Sequence, residues 1–157
     1  MSITLRECLP EDNAFLQAVY FSTRAGEICH LGWSAAQQQA FVQMQYHAQH
    51  RSYLMQFPAA DYRVVQRSAV DVGRLIVDRT SDVFRLVDIS LLPEHRNAGV
   101  GAGLIRDLQA EAARAGKPVM LHVGGLNRAL RLYERLGFAK TAEGEIYLEM
   151  TWRPDAE

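Results

Sequence analysis

The stretch "SLLPEHRNAGVGAGL", Ser90 to Leu104, places Gly99, Gly101 and Gly103 within five residues, after one apolar run and before an amphipathic one. A glycine-rich turn that opens a helix presents unbonded backbone N–H groups at the positive end of the helix dipole, which together favour phosphate. The residues around the glycines decide which phosphate ligand suits it.

A nucleotide P-loop requires Gly-Lys-Ser or Gly-Lys-Thr at its end, whereas Gly103 is followed by Leu104 and Ile105. A dinucleotide fingerprint starting at Gly99 runs Gly-Val-Gly-Ala-Gly, with Leu104 where the third glycine belongs. The strand that follows, "VMLHV", ends without an acidic residue to hold a ribose. Neither nucleotide reading fits.

On either side of this loop the patterning predicts alternating helices and strands. "SITLREC" alternates as a first strand, and "LPEDN" supplies a turn and a helix start for "AFLQAVYFSTR", with Phe15, Val19 and Phe21 near helical spacing. Ser34 is a good N-cap for a helix through "AAQQQAFVQMQYHAQHRSYLMQF", whose apolar positions are Phe41, Met44 and Tyr46 and whose glutamines form the polar face. From Asp61 come three strands, "DYRVVQRS", "VDVGRLIVDRT" and "DVFRLVDISLL", with connections short enough for antiparallel pairing.

After the glycine loop, "GAGLIRDLQAEAARAG" places Leu104, Ile105, Leu108 and Ala112 on one helical face and stops at Gly116. "KPVMLHVG" reads as a strand and "NRALRLYERLG" as a helix capped by Asn127 and closed by Gly137. "FAKTAEGEIYLEMTW" reads as a hairpin turning near Glu143 and Gly144. With no repeat and no long linker, residues 1–157 are expected to form a single domain.

The run Arg96-Asn97-Ala98-Gly99-Val100-Gly101-Ala102, the preceding "VDISLLPEHR" and the later "NRALRLYERLGF" occur in order. In these three motifs the sequence resembles the GCN5-related N-acetyltransferases (GNAT), whose signature is Gln/Arg-x-x-Gly-x-Gly/Ala at a strand-to-helix junction. The resemblance implies an α/β fold: a mixed, mostly antiparallel sheet flanked by helices on both faces. It also implies that acetyl-coenzyme A (acetyl-CoA) is the co-substrate, with its pyrophosphate against the backbone of Arg96, Asn97, Ala98, Gly99, Val100, Gly101 and Ala102. Small residues suit that contact, because a Cβ at Gly99 or Gly101 would hold the phosphate off the amides. The Arg96 side chain either adds charge there or is a solvated surface arginine.

By the same resemblance, the backbone of Ile89, Ser90 and Leu91 pairs with the peptide-like pantetheine arm as an added strand, and Asn127 contacts that arm. A main-chain N–H near Ser90 or Leu91 would polarise the thioester carbonyl. Tyr133 matches the tyrosine that protonates the departing thiolate, with ordinary core packing as its other reading. His122 stands at the strand position where the related acetyltransferases of protein N-termini carry a glutamate, and it is read either as the base for the acceptor amine or as a structural histidine. Asp88, Glu94 and ordered water are further candidates for that base.

The expected activity is direct acetyl transfer to a primary amine in a ternary complex. The alternatives are a non-catalytic acyl-CoA sensor or partner-binding subunit, and a transferase of longer acyl groups. The segment Ala14 to Phe57 carries no motif for an acceptor class, and Tyr20, Arg24, Glu27, Trp33, Tyr46 and His47 are the residues within reach of that role.

Composition restricts the partners. Seventeen basic and eighteen acidic side chains leave a formal charge of -1, so bulk electrostatics point to a small-molecule or peptide amine and to neither nucleic acid nor a membrane. Cys8 and Cys29 lie outside any metal-ligand spacing and read as buried free thiols, so no metal is expected. The acid in "MSITLRECLPEDN" argues against a secretion signal, and no run reaches the roughly 18 apolar residues of a membrane span, which predicts a cytoplasmic protein. A free sheet edge at the C-terminal hairpin would suit a homodimer.

Overall fold

The structure, a computed structural model, describes residues 2–124 and 129–155. Seven strands form one sheet in the order β1-β2-β3-β4-β5-β7-β6: β1 (Ile3–Glu7), β2 (Asp61–Arg67), β3 (Val70–Asp78), β4 (Phe84–Leu91), β5 (Val119–Gly124), β6 (Ala139–Glu143) and β7 (Tyr147–Trp152). The helices are α1 (Asn13–Ile28), α2 (Ala35–Gln56), α3 (Val100–Arg114) and α4 (Ala129–Arg135). The mixed α/β fold expected from the sequence is the one observed. β1 lies antiparallel to β2, and β7 antiparallel to both β5 and β6, while β4 and β5 run parallel. A parallel neighbour needs a crossover, and α3 supplies it.

The chain divides into two compact units, Met1–Ile76 with Asp88–Arg96 and Val77–Val87 with Asn97–Glu157. In the first, α1 and α2 contribute Leu16, Tyr20, Ile28, Val42 and Tyr46 to an apolar core with Val64 of β2. Ser34 caps α2 as predicted, in a reciprocal box with Gln37. The buried stripe of α2 is Val42 and Tyr46, four residues apart, and Met44 is 61% exposed, because it falls between those two turns of the stripe. The first helix is longer than "AFLQAVYFSTR", since Ile28 is buried and anchors a further turn.

The cysteines correct one expectation. Both are free, but Cys8 is only half-buried and Cys29 is exposed. Cys29 is the residue that ends α1, with Sγ 3.4 Å from the Gly26 carbonyl, so local geometry holds it at the surface.

In the second unit, Leu104, Ile105, Leu108 and Ala112 of α3 are buried, as their shared face predicts. Gly116, at φ 67°, closes that helix in the left-handed region with its N–H on the Ala113 carbonyl. The end of α4 is closed by Gly137 at φ 94°, and buried Gln109 donates to the Leu136 carbonyl at 2.8 Å.

Candidate active site

β4 changes character along its length. Phe84 and Leu86 are buried in alternation, but every residue from Val87 to Leu91 is half-buried. Its parallel register with β5 pairs Phe84 with Val119, Arg85 with Met120 and Leu86 with Leu121, whereas β4 runs on to Leu91 and β5 to Gly124. The stretch Ile89, Ser90, Leu91 thus lies past the last of these paired residues.

On its other side that stretch is held closely. Leu92 N–H donates to the Val72 carbonyl at 2.9 Å. A Cβ on Gly73 would collide with the Ser90 carbonyl oxygen and stand 2.7 Å from a Leu91 methyl, so glycine is what lets β3 approach here. Ser90 Oγ donates to Asp88 Oδ1 at 2.8 Å, and the other Asp88 oxygen pairs with Arg74, whose side chain is 5% exposed. Arg74 Nη2 also donates to Gln49 of α2 at 3.1 Å. No motif singles out Arg74, although an arginine inside the strand run "VDVGRLIVD" is itself a signal of a buried charge.

With both oxygens engaged, Asp88 is poorly placed to accept a proton from an amine. Glu94 is exposed in the single turn Pro93–His95 that follows β4.

The loop reverses through two left-handed residues, Asn97 at φ 60° and Gly99 at φ 80°. Asparagine and glycine are the residues that tolerate this region. Gly99 forms the N-cap of α3 and supplies no side-chain cap, and the Gly103 N–H bonds back to the Gly99 carbonyl at 3.0 Å. The amides of Val100, Gly101 and Ala102 therefore precede the first intrahelical bond and point out of the helix start.

A Cβ built on Gly99, Gly101 or Gly103 meets no atom within 4 Å outside its immediate chain surroundings. The fold does not require glycine at 101 or 103, which have ordinary helical backbone and pack against nothing at that point. Glycine there lowers helix stability by about 0.5–1 kcal/mol relative to alanine. Glycine at these positions thus leaves open space over the amides that begin α3.

Arg96, just before the loop, is held by two side-chain hydrogen bonds. Its Nε donates to the Leu91 carbonyl at 3.0 Å and its Nη2 to Ser22 Oγ of α1 at 3.2 Å. The side chain is thus exposed but tied to the end of β4 and to α1.

On β5, Val119, Leu121 and Val123 are buried and His122 is exposed, with 46% of its side chain accessible. Arg85 lies 3.1 Å from His122 Nδ1. Because a guanidinium can only donate, Nδ1 accepts, which puts the proton of the neutral ring on Nε2, 3.9 Å from Glu149. A groove beside this histidine is lined by Glu143, Glu145, Ile146, Tyr147 and Glu149 of the hairpin. Tyr133 is buried in α4, edge-on to Phe138 with ring centroids 5.9 Å apart. Asn127 lies outside the described residues.

Of the residues considered for an acceptor role, Tyr20 and Tyr46 are core, 5.9 Å apart edge to face, and Trp33 packs on Phe41 at 5.0 Å. Arg24 bonds the Tyr20 hydroxyl at 3.2 Å and Glu27 at 3.4 Å. His47 is exposed beside Tyr46. Among the described residues no cluster of three or more His, Cys, Asp or Glu has metal-binding geometry, and no helix is long and apolar enough to cross a membrane.

Residues 69–147 match the model of a family described as FR47-like protein. Several solved structures share the fold. A PaiA N-acetyltransferase from Thermoplasma acidophilum, in complex with coenzyme A, is 17% identical, with 98% of this chain and 99% of that one covered at a TM-score of 0.72. An acetyltransferase from Thermus thermophilus is 16% identical over 98% and 97% of the two chains, TM-score 0.69. The ribosomal-protein-S18-alanine N-acetyltransferase of Escherichia coli is 18% identical over 99% and 97%, TM-score 0.61.

Proposed function

The chain belongs to the FR47-like family of GCN5-related N-acetyltransferases, and from that premise we propose that it moves an acetyl group from acetyl-CoA directly to a primary amine. One observation carries the donor half: glycines at 99, 101 and 103 leave open space over the amides that begin α3, where neither the backbone at 101 and 103 nor the packing requires them. The amides of Asn97 to Ala102 hold the pyrophosphate, and the half-buried backbone of Ile89, Ser90 and Leu91 receives the pantetheine arm by strand-like pairing.

Transfer sets three demands on the residues of this chain. An N–H at Ser90 or Leu91 stabilises the charge that develops on the thioester oxygen. The Tyr133 hydroxyl gives a proton to the leaving thiolate, whose pKa near 8.5 asks only for a weak acid. An alkyl amine has a pKa of about 10 and must lose a proton before it attacks. His122 takes that proton once Arg85 withdraws from Nδ1, or ordered water takes it in its place.

The test is a screen of amines with acetyl-CoA, following the free thiol released. Thiol release with a primary amine is the expected outcome. Tight coenzyme A binding with no release from any amine would identify an acyl-CoA sensor instead, and release only from longer acyl donors would overturn acetyl as the group moved.

A further inference from the structure

Arg74 and Asp88 form an ion pair in the first unit that stability alone explains poorly. Their side chains are 5% and 13% exposed, and Arg74 lies in a buried run of β3 whose other side chains are those of Val72, Leu75, Ile76 and Val77. Apolar residues of similar volume commonly serve such a position as well or better, because two charges must be desolvated to fill it. Arg74 Nε is buried with no hydrogen-bond partner, which makes the network still less favourable as a purely structural device.

What the pair does is join three elements. Arg74 on β3 grips Asp88 on β4 and Gln49 on α2, and its guanidinium stands 6.0 Å from the Tyr46 ring of the same helix. Asp88 in turn accepts from Ser90 Oγ two residues along, on the same face of β4. The backbone of that serine is also constrained by the approach of Gly73 to its carbonyl.

We propose that Arg74 and Asp88 are positioning residues that hold the end of β4, through the Ser90 hydroxyl, in the conformation that receives the thioester, and that they tie this conformation to α2. This rests on the acetyltransferase reading. Neither residue touches a reacting atom. Their effect is to fix the direction of the Ser90 and Leu91 amides, and misplacement of such a donor by about 1 Å costs roughly a hundredfold in rate.

The test compares the parent with three variants: Arg74→Met/Asp88→Leu, which removes both charges without stranding either, Asp88→Asn and Ser90→Ala. Each is followed by thermal melting, coenzyme A binding by calorimetry, amide hydrogen exchange at Ser90 and Leu91, and thiol release. The double variant is expected to melt within about 5 °C of the parent and to exchange faster at both amides. It should lose about a hundredfold in kcat with KM for acetyl-CoA changed less than about threefold. Asp88→Asn should melt lower and exchange faster, and Ser90→Ala should lose about tenfold in kcat with its melting point kept.

A double variant with parental kcat and exchange makes the pair simple packing and overturns the proposal. Where the double variant does not fold, Ser90→Ala decides on the same two readouts. A parent that binds coenzyme A but acetylates nothing defeats the transferase reading alone. Exchange at Ser90 and Leu91 then still judges the positioning, and unchanged exchange in Ser90→Ala overturns it.

Discussion

Gly73 of β3 sits against the backbone carbonyl of Ser90 in β4, closer than any side-chain carbon would allow. A methyl group there must push aside main chain, which is far less yielding than the end of a side chain. We expect Gly73→Ala to destabilise the protein by about 2–3 kcal/mol and to lower turnover more than coenzyme A affinity. Thermal melting and steady-state thiol release check this, and a fully active variant with parental stability would show that the approach is unimportant.

Gly101 should respond in the opposite sense. Its Cβ position is empty and its backbone helical, so Gly101→Ala is expected to stabilise α3 by about 0.5–1 kcal/mol while weakening coenzyme A binding. Gly101→Glu adds bulk and a negative charge and should abolish binding. Calorimetric titration beside melting separates the two effects, and a glutamate variant that binds as the parent does would refute the phosphate cradle.

Tyr133 is buried against Phe138, and phenylalanine preserves that ring contact. Tyr133→Phe is therefore expected to change stability by about 1 kcal/mol and to lower kcat by about tenfold to a hundredfold. Equal turnover by parent and variant across several amines would remove the tyrosine from the chemistry.

The acid limb of stability should report Asp12. Arg6 donates to both its oxygens, at 2.7 and 2.9 Å, and with the Leu9 N–H lowers its pKa to about 2. Because the folded value lies below the unfolded one near 3.9, the stabilisation is complete above about pH 4 and fades as pH falls toward 2, amounting to about 2 kcal/mol. Asp12→Asn should cost that much at pH 7 and little at pH 2 in denaturant titrations. An equal cost at both values would assign the effect to hydrogen bonding without charge.

The order and kind of the elements, the Ser34 cap, the glycine stops at 116 and 137, and the loop that opens α3 are legible in the linear sequence. Each depends on neighbours within a few residues, where helical or strand periodicity and backbone sterics act directly. It also carried the family, because Arg96 to Ala102 and the motif around Tyr133 are local patterns. The packed fold, and no local pattern, places β7 between β5 and β6, brings Arg85 to His122 and ties Arg96 to Leu91 and Ser22. It alone coupled Arg74 to Asp88, fourteen positions apart, and to Gln49, twenty-five away. Such partners are chosen by which strands pair and in what register, and that choice is a property of the whole packed chain.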